Sequence, residues 1–286
     1  MLAVLVLATG ALPYALAQTQ TPSTSDDGAE EESPSATPSG SAPKARASAS
    51  ALASAFSPRV AVPQKDGMLR VPGGRYTMGT NDRGASPNEK PPHVVTVAPF
   101  WIDRTEVTVG AYKACVDTHG CAPPQKTSAS CTFDAGEPAL PITCVRWQDA
   151  DHYCRAMGKR LPREAEWELA ARGTGSVLYP WGNGPPSCGV AATLVRDTTA
   201  VSCAGKHPSK VGAHVAGASP YGVQDMIGNA EEWVSDWYVD SPGTAPRAGS
   251  SHVLRGGGWL SGPTQSRATS RNWGSSVEAG PNVGFR

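Results

Sequence analysis

Short runs of β-forming residues open the readable part of the chain. Met68–Pro72, Arg75–Gly79, Val94–Val97 and Phe100–Ile102 are bounded by Gly, Pro and polar residues and predict strands, the first two flanking a turn at Gly73-Gly74. The hydrophobic period then lengthens. Thr108 predicts the N-cap of a helix reaching about Val116, with Tyr112 and Cys115 on one face and Gly120 ending it. Trp147, Ala150, Cys154 and Met157 fall at helical spacing and predict one buried stripe, closed by Gly158. A third helix follows Pro162 and runs from Glu164 to Arg172, closed by Gly173. Glu164, Glu166 and Glu168 read as a solvated or salt-bridged face, not a catalytic dyad. Beyond Gly173 the pattern thins into Gly-rich loops around Trp181, Trp233, Trp237, Trp259 and Trp273, with no internal repeat. The sum is an α+β single domain with much irregular chain, expected over 65–286.

The chain before this domain reads differently. Leu2–Leu16 is nearly all apolar, and Ala15-Leu16-Ala17 supplies small residues for cleavage, so residues 1–17 predict a signal peptide. No Lys or Arg precedes the apolar run, a departure from the usual signal pattern. The run is too short and broken to predict a membrane span, so none is expected after cleavage. Residues 18–64 are Ser, Thr, Ala, Pro and acidic residues with Phe56 as the aromatic exception, and predict a disordered linker. Together they predict export to the periplasm, cell envelope or exterior.

Formal net charge is zero, which predicts no nucleic-acid partner. Charged residues make up only 17%, while 31 glycines and 26 prolines favour loops over a helical bundle. Eight tryptophans predict a core built on large aromatics whose N–H groups find acceptors. Seven cysteines in an exported chain predict disulfides with at least one thiol left over. Cys115 with Cys121 and Cys188 with Cys203 are the local pairings, leaving Cys131 to join Cys144 or Cys154. The cysteine spacings do not match a zinc knuckle, and the six histidines form no H-x-x-x-H pattern.

Several segments, taken in order, resemble the formylglycine-generating enzyme (sulfatase-modifying factor) family. They are Val71-Pro72-Gly73-Gly74 with Tyr76-Thr77-Met78-Gly79, Thr105–Thr108, Gly158–Glu168 (GKRLPREAEWE), Tyr179-Pro180-Trp181-Gly182, Tyr221–Trp233 with its GNAEEW, Leu254–Trp259, and Asn282–Arg286. The resemblance implies an irregular, C-type-lectin-like domain. Active members oxidise a sulfatase cysteine to formylglycine, using oxygen and a copper ion held by two cysteines just after the GG-x-W segment. Here Ser261 falls at the first of those positions and Ser266 matches the second by count. No cysteine follows Cys203, so no alignment places a thiol pair there. Cuprous ion prefers thiolates to hydroxyls, so copper and the oxidase reaction are expected to be lost.

The resemblance also carries calcium onto Asn229 and Glu232, in a stretch where Glu231 replaces an aromatic usual in the family. The competing reading is a hydrogen-bonded turn that fixes Trp233. Trp259, Arg267 and Arg271 are expected near the former substrate groove, the two arginines as cleft walls or as structural ion pairs. Iron chemistry of the related sulfoxide synthases is not expected, because the chain has no room for their histidine-bearing helical domain. The expected role is a binding or structural module with a peptide, protein or envelope ligand. The alternative is an oxidoreductase of sulfur or peptides with a rebuilt site.

Overall fold

Strand formation begins at β1 (Gln64–Lys65), which pairs with β2 (Met68–Val71). The computed structural model describes residues 63–194, 202–241, 249 and 251–286; the expected signal peptide and most of the expected linker lie outside them. In β2, Leu69 and Val71 point inward and Arg70 outward, the alternation of a half-buried strand. β2 pairs antiparallel with β5 (Phe100–Asp103), and β3 (Gly74–Met78) pairs with β4 (His93–Val97). β2 and β3 therefore belong to different sheets and do not form a hairpin with each other. Gly73 makes the change of sheet possible. Its φ is +74°, and a side chain there would collide with the backbone of Val97 and Ala98.

The three helices stand where the sequence places them: α1 (Val109–Asp117), α2 (Trp147–Ala156) and α3 (Glu164–Arg172). The Thr108 hydroxyl accepts from the Ala111 N–H, the predicted cap of α1. On α2 the buried residues are Ala150, Tyr153 and Cys154, whereas Met157 is exposed. The predicted stripe thus turns one position towards Tyr153, which stacks on Tyr112 and meets Phe285 edge-on.

Helix α3 runs through the centre of the domain, with Trp167, Leu169, Ala170 and Ala171 fully buried. Its three glutamates are buried as well, so the solvated half of the expectation fails and the salt-bridged half holds. Glu164 pairs with Arg271, Glu166 with Arg160, and Glu168 with Arg255 and Arg172. An ionised carboxylate this deep is costly unless it is paired.

The remaining sheet has the order β8-β7-β6-β9: β6 (Glu231–Trp237) and β7 (Ser251–Arg255) antiparallel, β8 (Arg271–Ser275) outside β7, and β9 (Val283–Gly284) parallel to β6. Indole N–H groups are satisfied as predicted: Trp147 donates to Val234 O, Trp167 to Glu232, Trp233 to Val145 O and Trp259 to Pro281 O. Among the described residues no helix is long and apolar enough to cross a membrane.

Three disulfides close the loops: Cys115–Cys121, Cys131–Cys144 and Cys188–Cys203. Between the two partners left open for Cys131, the structure selects Cys144. Cys154 is the buried free thiol, and burial pushes it up to about 12, so it is unreactive. Three bridges fit an oxidising compartment. The Cys188–Cys203 link spans 15 residues. Replacing both with alanine is expected to cost about 3 kcal/mol in denaturant unfolding.

Candidate functional site

The segment after β7 is shaped by glycines. Gly257 has φ +64°, and the place of its missing Cβ lies 2.9 Å from Ser266 Oγ and 3.0 Å from Ser261 Cβ. Ser261 and Ser266 are therefore brought together around one glycine, in the arrangement their spacing suggests. Both are held by the backbone. Ser261 Oγ accepts from Gly258 N–H at 3.0 Å and from the Asn282 amide at 3.2 Å, while the Ser266 hydroxyl points to Ser261 O at 3.4 Å. His252 is remote from this chemistry. It lies sandwiched between Trp147 and Trp237 with ring centroids 3.7 and 3.8 Å away, and its Nδ1 faces Asp236 O. Burial lowers its pKa and favours the neutral ring. No imidazole activates either serine, so a serine nucleophile of the usual kind is not assembled.

Ser261 borders a recess of about 130 Å³, lined also by Glu89, Glu231, Gln265, Arg271 and Asn272 among its polar residues. Most of its charge is already matched. The Glu89 carboxylate accepts from Arg267 at 2.6 Å, Thr269 at 2.7 Å and the Ser86 N–H at 2.8 Å. Arg271 grips Glu164 with two hydrogen bonds of 2.6 and 3.0 Å and donates to Asn88 O and Val239 O. Arg271 thus forms part of the wall with its donors committed. Trp259 and Arg267, expected beside it, are buried and support the wall without lining the recess.

Glu231 is different. It is 7% exposed, and its one recorded contact is a long 3.4 Å approach of the Asn272 amide. Burial pushes its carboxyl up to about 7, with the Asn272 amide a small opposing influence. The sign for stability follows. A folded value above the ordinary one near 4.5 means the native state holds the extra proton. Stability from this group is complete below that ordinary value and is lost as pH rises towards 7. Glu231→Gln is expected to be more stable than the parent by about 3 kcal/mol at pH 8, with the difference largely gone at pH 4, in urea unfolding.

The expected calcium ligands are not placed as a cage. Glu231 and Glu232 stand in strand β6, not on a loop, so they face opposite ways. Glu232 turns inward, where Arg286 contacts it at 2.5 and 2.7 Å and Trp167 at 2.8 Å. Three of the roughly four lone-pair sites of its carboxylate are taken by these donors. Asn229 is buried with both amide atoms unpartnered. The acidic oxygens that remain bare are Glu106 Oε2 and Asp225 Oδ1. Burial, then the neighbouring Asp225 charge, pushes Glu106 well up; burial pushes Asp225 up as well. A cation in this region finds oxygens without a donor on those two carboxyls and on the Asn229 amide; the sequence places Asp225 and Asn229 in the candidate calcium stretch and gives no sign of Glu106. Among the described residues no group of three or more His, Cys, Asp and Glu side chains converges as a metal site.

The comparisons with known proteins agree with the geometry. Residues 53–286 match the model of the sulfatase-modifying factor enzyme 1-like domain. A formylglycine-generating enzyme of Thermomonospora curvata is 29% identical over 77% of this chain and 92% of its own length. The mouse inactive C-alpha-formylglycine-generating enzyme 2 is also 29% identical, over 78% of this chain and 85% of its own. The solved structure of PvdO from Pseudomonas aeruginosa superposes with a TM-score of 0.64 at 30% identity, over 76% of this chain and 92% of that one. With an α+β fold of the same kind and a family match over most of its length, the chain belongs to the sulfatase-modifying factor enzyme 1-like (formylglycine-generating enzyme) domain family.

Proposed function

We propose that this chain is an exported member of the family that has lost copper-dependent oxidation and uses the former catalytic cleft to bind a ligand. One observation supports the reading above others: Ser261 and Ser266, which the resemblance aligns with the two catalytic thiols, lie together, hydrogen-bonded to backbone and Asn282, and no cysteine follows Cys203. Hydroxyls are poor ligands for cuprous ion, and a wall of polar side chains remains beside them. Three disulfides support an extracytoplasmic site of action. A sulfatase-derived cysteine peptide incubated with the protein, copper and oxygen tests the reading. It is expected to return unmodified, and formylglycine in the product would refute the proposal.

Calcium is part of the same reading, placed at Glu106 and Asp225. Their buried oxygens without donors, and the burial that raises both pKa values, support a cation that would supply the missing charge and tie the segment before α1 to the one leading into GNAEEW. Calcium at a hundred times its dissociation constant is expected to stabilise the fold by about 2.7 kcal/mol. Asp225→Asn should abolish that gain in thermal melts with and without chelator.

A further inference from the structure

The recess at Ser261 holds one acid whose charge nothing on its walls balances. Glu89 is matched by Arg267, and Arg271 by Glu164. Behind β6 and β7, Glu232 is matched by Arg286 and Glu168 by Arg255. Among the described residues, Glu231 alone of these carboxylates has no cationic partner, and the hydrogen bond to its carboxylate is the long approach of the Asn272 amide. The groups around it accept hydrogen bonds or have a proton to spare. Ser261 Oγ already receives two donors, which leaves its own O–H free to turn into the recess. Gln265 and Asn272 add amides to the lining.

We propose that this recess is a binding site for a primary ammonium group, with the Glu231 carboxylate as its counter-ion. A buried charge without a counter-ion favours a ligand that neutralises it. An ionised carboxylate that is 7% exposed is costly without a partner, and a ligand cation removes that cost. A compact –NH₃⁺ brings three donors, for Glu231 and neighbouring oxygens such as the Asn272 amide. The recess volume of about 130 Å³ corresponds to roughly four water molecules and suits an ammonium on a short alkyl stem, such as the end of a lysine side chain or a small amine. A lone carboxylate with amide and hydroxyl neighbours does not make up the oxygen set a divalent cation requires. The inference rests on the reading of this cleft as a ligand site, and it names the ligand's chemistry.

The test is calorimetric titration of the whole protein with n-butylammonium, using n-butanol and tetramethylammonium as probes of shape alone and charge alone. At pH 8 n-butylammonium is expected to bind at least about tenfold more tightly than either. Glu231→Gln, a change expected to leave the fold intact or firmer, should erase that preference. Equal binding of all three probes, an unchanged preference in Glu231→Gln, or no n-butylammonium binding tighter than about 10 mM would each overturn the proposal. Neither copper nor formylglycine enters these readouts, so failure here leaves the copper-free reading of the domain to be judged by its own assay.

Discussion

Arg255→Ala is expected to destabilise the domain by about 4 kcal/mol, enough to leave much of it unfolded at moderate temperature. The residue has no exposed surface and lies against the Trp167 ring. Its guanidinium meets Glu168 Oε2 at 2.5 Å and donates to the carbonyls of Ala268, Thr269 and Ser270. Removing it strands the Glu168 carboxylate, with Arg172 at 3.3 Å as its remaining cation, and frees three carbonyls in a dry core. The chain that carries those carbonyls is the segment between Ser266 and β8, so the recess should loosen with the core. Arg255→Ala with Glu168→Gln should recover part of the loss, because the stranded charge is then gone. Urea unfolding of the two variants checks both claims. A loss below about 1 kcal/mol for Arg255→Ala would show that the network contributes little.

The second large effect concerns copper. Ser261→Cys with Ser266→Cys is expected to retain about one cuprous ion per chain after dialysis under reducing conditions, where the parent chain is expected to retain none. The basis is local geometry. Both side chains lie about 3 Å from the position a Gly257 Cβ would take, so two sulfurs there would face the same space. Asn282 and the Gly258 N–H, which now hold Ser261 Oγ, become hydrogen-bond donors to the first sulfur. Each single variant should bind copper much more weakly, since one thiolate is only half of the ligand set. If the double variant takes up no copper, substitution of the serines is not the change that separates this chain from copper-binding relatives.

Local features were legible in the sequence, and long-range ones were not. The three helices follow from period and caps, each written within ten or so residues. The serine pair was singled out by its count from the GG-x-W segment, and nothing local in the sequence says that the two side chains meet around Gly257. The buried ion pairs were not legible, because Arg255 and Glu168 are 87 residues apart and Arg267 and Glu89 are 178 apart, and nothing local marks them as partners. Three glutamates on alternate positions of α3 look the same in a sequence whether they face water or arginines. The β2–β3 turn misleads in a related way: Gly73-Gly74 reads as a hairpin, but tertiary pairing sends its two arms to different sheets.

Strand β6 carries the most instructive difference. Asn229, Glu231 and Glu232 have the composition of a loop that binds a cation, and the resemblance favoured that reading. The backbone is extended from Glu231, so adjacent glutamates separate to opposite faces. One meets Arg286 at the far end of the chain and the other enters the recess. Glu106 left no local trace, since it stands 119 positions before Asp225 and only the fold joins them.

The most direct measurement of the central claim is mass spectrometry of a cysteine-containing sulfatase peptide after incubation with the purified, copper-supplemented protein under oxygen, alongside a metal assay of the same sample. The account predicts an unaltered cysteine and no copper retained by the chain. Conversion of that cysteine to formylglycine, with copper bound at one per chain, would contradict it.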